Sequence, residues 1–156
     1  MNHKVCLIID NPLRDLEGMT LIAWHLAKKK KECYLVPMYC QSFDVLAIKP
    51  DVVVVNYIRP NNINMLLRYK KENIKIAVLD TEGSPGKDME GFAKKVAQIA
   101  QRNIISLYCL WGDEQYNAFK KENTFEKNIL RITGCPRYDF CAEPYRTTLP
   151  KVLKGE

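Results

Sequence analysis

Four consecutive valines constrain this chain more than any other feature. Val52–Val55 lie between Asp51 and Asn56, and successive side chains of an extended backbone point to opposite faces, so both faces of that strand must be covered. Strands buried on two faces belong to parallel sheets with helices packed above and below. The same alternation runs through the rest of the chain. Lys4–Ile9, Cys33–Pro37, Lys75–Leu79, Ser106–Leu110 and Asn128–Thr133 read as the other strands. Apolar residues at helical spacing predict helices over Gly18–Lys30, Asn61–Lys71, Lys87–Arg102 and Asp113–Glu122, with a short helical turn at Phe43–Ala47. The expected fold is α/β: a single Rossmann-like domain with a mostly parallel six-stranded sheet and helices on both faces. Residues 1–141 would form that domain. Residues 142–156, with Pro144 and Pro150, read as an irregular tail or the start of an interdomain linker.

Composition removes several classes. The 156 residues are 47% hydrophobic and 27% charged, which supplies a core and argues against disorder. No apolar run nears the ~20 residues that span a bilayer. The run Val5–Ile9 closes on Asp10, unlike a secretory leader. A cytoplasmic location is expected, with at most peripheral membrane contact. The six cysteines include no C-x-x-C pair, and the two histidines, His3 and His25, offer little toward a metal site. Reduced, structural cysteines and no metal are expected. Lys and Arg exceed Asp and Glu by 24 to 18, a net charge of +6. Lys28–Lys31, Lys70-Lys71, Lys94-Lys95 and Lys120-Lys121 are scattered over four elements, near helix ends or on outer faces. They read as a solvated surface. A nucleic-acid interface would interleave arginines with aromatics on one surface, so no nucleic-acid partner is expected.

The strand order 3-2-1-4-5-6 would make strands one and four neighbours at the topological switch point, where ligands bind beyond the strands' carboxyl ends. The first loop, Asp10–Gly18, carries neither a G-x-G-x-x-G nor a P-loop fingerprint, so no NAD or ATP cofactor is expected. It offers Arg14, Asp15, Glu17 and Gly18 ahead of a helix start. There Arg14 would hold an anionic substrate group, or the acids would cap the helix and pair with Arg14. The second loop places Asp80 and Glu82 on one side and Thr81 on the other. Neighbouring carboxylates raise one another's pKa, as a general acid or base requires. Gly83 and Gly86 permit close ligand approach. The competing reading is a turn in which Asp80 binds backbone amides. After strand six, Gly134 and Pro136 turn a corner that brings Arg137 and Asp139 to the sheet's edge, as a substrate contact or as an ion pair fixing the corner. A receiver domain is excluded, because its third strand must end in aspartate and this one ends in Asn56.

Several segments together carry a family resemblance. Arg14-Asp15-Leu16-Glu17-Gly18, Leu79-Asp80-Thr81-Glu82-Gly83, Trp111-Gly112-Asp113-Glu114-Gln115 and Thr133-Gly134-Cys135-Pro136-Arg137-Tyr138-Asp139 resemble, in order and spacing, the amino-terminal half of bacterial surface-carbohydrate biosynthesis proteins. Those are glycosyltransferases of the GT-B architecture, and the likeness extends more distantly to CDP-glycerol glycerophosphotransferases and UDP-N-acetylglucosamine 2-epimerases. The resemblance implies a domain that faces a second Rossmann-like domain across a cleft. The carboxyl-terminal domain would hold the nucleotide-sugar, and this one would shape the carbohydrate-acceptor side. It implies Asp80 and Glu82 as catalytic candidates, Arg14 as a contact to an anionic group, and Gly134, Pro136 and Arg137 as the corner leading to the cleft. A second domain needs ~100 to 200 further residues, so a chain ending at Glu156 is expected to be inactive without a partner half. The alternatives from other classes are a standalone module for an anionic sugar or phosphate, an accessory interaction protein, and half of a sugar-nucleotide epimerase.

Overall fold

The computed structural model describes residues 3–81 and 88–148. Their strands form one six-stranded sheet: β1 Lys4–Ile9, β2 Glu32–Pro37, β3 Val52–Val55, β4 Lys75–Val78, β5 Leu107–Leu110 and β6 Leu130–Ile132. Every neighbouring pair is parallel. Alternating with the strands are α1 Pro12–Lys28, α2 Gln41–Ile48, α3 Ile63–Lys71, α4 Met89–Ala97 and α5 Asp113–Lys121. The fold is the α/β, Rossmann-like one that the valine run demands.

The strand order is 2-1-3-4-5-6, which corrects the expected 3-2-1-4-5-6. The physical reason lies in β2 and β3. A four-valine strand at a sheet edge would leave apolar surface uncovered, whereas β2 carries the exposed Glu32 and Pro37 that an edge tolerates. The switch point therefore lies between β1 and β3, and the loop after β3, beginning at Asn56, borders it.

Right-handed crossovers then dictate the layers. The step from β1 to β2 runs one way along the sheet, so α1 covers one face. Every later step runs the other way, so α2–α5 share the opposite face. Their core joins Val45, Leu66, Phe92, Val96 and Phe119 to Cys6, Val53, Ile76, Val78 and Tyr108 of the sheet. On the other face Met19, Ile22, Ala23 and Leu26 of α1 pack against Val5, Leu7, Ile9, Val52 and Val54.

Helix α1 begins six residues before the predicted Gly18. Asn11 caps it, its Oδ1 accepting from the Leu13 amide at 3.0 Å, and Pro12 occupies the first turn; an Asn-Pro pair is a helix-start signal in its own right. Arg14, Asp15, Glu17 and Gly18 thus ride on a helix rather than a loop. The lysines are less scattered than the chain order implies. Lys28, Lys70, Lys71, Lys94, Lys95, Lys120 and Lys121 occupy the last turns of α1, α3, α4 and α5, and all four helices end at the amino edge of the sheet.

Cys6 lies in the middle of β1, in one row with Tyr34, Val53 and Ile76. Burial, reinforced by the charge of Asp44, pushes its thiol from 9.0 up to about 11. The folded chain thus keeps a proton that the unfolded chain releases nearer 9, so this contribution to stability is complete at lower pH and is lost as pH rises from about 9 through about 11. Urea midpoints compared at about pH 8 and about pH 10.5 should fall at the higher pH, and the fall should be smaller in Cys6→Ala. An equal fall in the variant would assign the loss to other groups.

Candidate functional site

Asp15, in the first turn of α1, is only 3% exposed. An isolated carboxylate there would be costly, and donors from separate segments offset that cost. Its oxygens accept from the Asn11 amide at 3.1 Å, from Arg14 Nε at 2.7 Å and Nη2 at 3.0 Å, and from Asn56 Nδ2 at 3.2 Å. Arg14 also donates to Asp10 at 2.8 Å. Hydrogen bonding to Asp15 first, and to Asp10 with it, pushes the guanidinium pKa above its usual value. Asn56 Nδ2 reaches Thr81 Oγ1 at 3.1 Å, so one amide ties the ends of β3 and β4 to α1. Arg14 pairs with two carboxylates of its own chain, as the pairing alternative has it.

Asp80 follows β4 in the left-handed region (φ 51°) and is 0% exposed. Asp is among the residues that tolerate this region. Among the described residues, the Tyr108 hydroxyl donates to its Oδ2 at 2.5 Å, and the Trp111 indole Nε1 donates to the Asp80 carbonyl at 3.0 Å. Burial, and then the Asp80 charge, hold the Tyr108 pKa well above its ordinary value, so its hydroxyl stays a donor. Asp80 and Thr81 do point to opposite faces, Asp80 toward Tyr108 and Thr81 toward Asn56. In this arrangement Asp80 braces the end of the sheet from beneath. Glu82 and Gly83 lie outside the described residues.

The corner after β6 closes over α1. Gly134 takes φ 75°, open to glycine, and Pro136 starts a 3-10 segment, Pro136–Cys141. A Cβ on Gly18 would stand 3.0 Å from the Arg137 backbone nitrogen and 3.3 Å from Pro136 atoms. Gly18 therefore serves chain-to-chain approach. Arg14, Asp15, Gly18, Leu79, Thr81, Cys135, Pro136 and Arg137 border one seam with about 10 Å³ of free space, too little for a sugar. Glu17 points elsewhere, into an apolar groove with Leu16, Trp24, Phe140 and Tyr145.

Arg137 and Asp139 form no ion pair; Asp139 is exposed. The Arg137 guanidinium instead lies 5.2 Å from the Trp111 ring centre and 5.0 Å from that of Tyr138, and the two rings meet edge-on at 5.7 Å. Both distances are within cation–π range. The expected ion-pair corner is thus replaced by an aromatic one, because Trp111 is anchored through its indole within reach of the guanidinium.

Sequence reasoning missed Asn56, Tyr108 and Arg59. Asn56 and Arg59 were hidden by the misplaced β3, although the valine run itself marks β3 as central. Arg59 stacks 5.3 Å from both Tyr57 and Phe92. The six cysteines form no disulfide. Among the described residues, no three His, Cys, Asp or Glu side chains gather as metal ligands, and no helix is long and apolar enough to cross a membrane. No protein-family profile matches the chain, and no curated protein matches it significantly.

The Gly18 seam and the Tyr108–Asp80 bond can each be tested by substitution. Gly18→Ala should be close to neutral in urea unfolding, because ~1 kcal/mol of helix propensity offsets a similar overpacking strain. Gly18→Val should lose ~2–3 kcal/mol, since a larger β-branched group must displace the Pro136–Arg137 backbone; equal effects would mean the corner yields freely. Tyr108→Phe should cost ~2 kcal/mol and, in a double-mutant cycle with Asp80→Asn, show coupling of ~1 kcal/mol or more.

Proposed function

We propose that this chain is the amino-terminal, acceptor-side domain of a GT-B-like glycosyltransferase in surface polysaccharide assembly, acting in the cytoplasm with a carboxyl-terminal domain that presents a nucleotide-sugar. One observation carries the reading. The segments behind the resemblance stand far apart in sequence, yet Arg14–Gly18, Leu79–Thr81, Trp111 and Gly134–Arg137 meet at the carboxyl edge of one parallel sheet. That is where such sheets bind ligands. The tightness of the seam supports a half-site that gains its cleft from a second domain.

In this reading the chemical roles divide. Asp80, buried against Tyr108, is a positioning residue that fixes where β4 ends. Glu82 is the catalytic carboxylate: it takes the proton of the acceptor hydroxyl as that oxygen bonds the anomeric carbon and the nucleoside diphosphate departs. Positioning and proton transfer are the contributions of this half.

The test is nucleotide release from a panel of nucleotide-sugars with a carbohydrate acceptor mixture, using this chain with and without the polypeptide encoded downstream. Turnover should require both, and Glu82→Gln should lower it by ~10²- to 10⁴-fold with little change in KM. Turnover by this chain alone would overturn the half-site reading. Turnover that survives replacement of both Asp80 and Glu82 would remove the catalytic assignment.

A further inference from the structure

We propose that Arg137, clamped by Trp111 and Tyr138, is a recognition site for a phosphate group carried by a sugar.

The inference begins with charge accounting at the carboxyl edge. The helix N-termini that gather there bring acids with them: Asp15 on α1, Glu90 on α4, Asp113 and Glu114 on α5. A cation at such an edge is expected to be neutralised by them. Arg14 is, with two carboxylates within 2.8 Å. Arg137 is not: no carboxylate lies within ion-pair distance of it among the described residues, and its guanidinium donates only a long bond of 3.3 Å to the neighbouring Tyr138 hydroxyl. Contact with the rings uses no acceptor, so apart from the bond to Tyr138 the guanidinium N–H groups have no hydrogen-bond partner among the described residues and are open to an oxyanion.

The clamp is built rather than incidental. Trp111 is fixed at two points, its indole to the Asp80 carbonyl at 3.0 Å and its backbone amide to Gln115 Oε1 at 2.8 Å. Gln115 is 2% exposed, and its side-chain nitrogen is a buried donor with no acceptor among the described residues. Arg137 is placed by the Gly18 seam, where its backbone nitrogen meets α1. Tyr138, 53% exposed, leaves an open aromatic surface beside the guanidinium on which a ring attached to the anion can rest. A fork of donors next to an exposed aromatic suits a phosphate joined to a sugar. A guanidinium matches phosphate oxygens two at a time, which an ammonium cannot do. The phosphate can belong to the nucleotide-sugar or to a phosphorylated acceptor. Recognition here does not depend on transfer chemistry, so it can stand or fall apart from the proposed activity.

The chain has two tryptophans, so Trp24→Phe leaves Trp111 as the sole indole reporter in the full chain. Titration with a hexose 1-phosphate, a nucleoside diphosphate-sugar, inorganic phosphate and the neutral hexose separates the possibilities. The two phosphorylated sugars should change Trp111 emission saturably, inorganic phosphate more weakly, and the neutral hexose not at all. The tighter of the two phosphorylated ligands identifies the source. Arg137→Ala should weaken binding by ~10- to 100-fold, and Arg137→Lys, which keeps the charge but loses the fork, by ~10-fold. Urea midpoints check that both variants are folded. Absence of a saturable response to any phosphate at millimolar concentration would overturn the proposal. So would an equal response to the neutral hexose, or unchanged affinity in Arg137→Ala. Binding without turnover in the two-part assay would sink the transferase reading and leave this site standing.

Discussion

The buried carboxylate of Asp15 is the interaction on which the carboxyl edge depends. Removing such a charge from water costs several kcal/mol unless donors replace the solvent. The donors come from the cap of α1, from Arg14 and from Asn56 at the end of β3, and Asn56 passes the connection to Thr81 after β4. One buried charge thus fixes the relative positions of three segments that diverge in sequence. It also engages Arg14. Its Nε and Nη2 are held by Asp15 and Asp10, so drawing those donors to another anion would orphan a buried carboxylate.

The charge distribution over the whole molecule has the same origin. Helices α1, α4 and α5 follow a local rule, acids in the first turn and cations in the last, in keeping with the dipole, while α2 carries only the acid and α3 only the cations. In a parallel α/β fold the helices run antiparallel to the strands, so the local rules add. Asp15, Glu90, Asp113 and Glu114 gather at the carboxyl edge, and the paired lysines of α3, α4 and α5 gather at the amino edge with those that close α1. The net charge of +6 therefore hides an acidic end and a basic end. This accounts for the lysines without any polyanion, and it sharpens the contrast that Arg137 makes as a cation at the acidic end.

Much of this was legible in the sequence. The strands were visible because their β-branched runs are short and bounded by turn residues, and β1 begins and ends where the residues predict. The convergence of the Arg14, Leu79 and Pro136 segments was legible as an ordered set of motifs. The strand order was not read correctly, although its signal was present: four valines call for a central strand, and Pro37 and Glu32 suit an edge. The start of α1 was missed because Asp10–Gly18 looked like a loop rich in charge, while Asn11-Pro12 was already a cap. What the sequence could not reveal was orientation at the edge. Nothing in the residue string distinguishes Arg137 pairing with Asp139 two residues away from Arg137 stacking on Trp111 twenty-six positions back. The outcome rests on the indole of Trp111 finding the Asp80 carbonyl, a contact between two different loops.

That contact also links the inner and outer parts of the edge. Tyr108 holds the Asp80 carboxylate beneath the sheet, the left-handed turn at Asp80 presents its carbonyl to Trp111, and Trp111 supports Arg137. The chain of contacts runs from a fully buried phenol to a half-exposed guanidinium without an intervening flexible side chain. Asp80 would then influence ligand recognition with no contact to the ligand, through the ring it positions. A carboxylate two residues before the proposed base, fully buried and silent in the chemistry, is what a positioning residue looks like. In the proposed reading the inner residues set the geometry, and Arg137 with Tyr138 would meet the ligand at the edge.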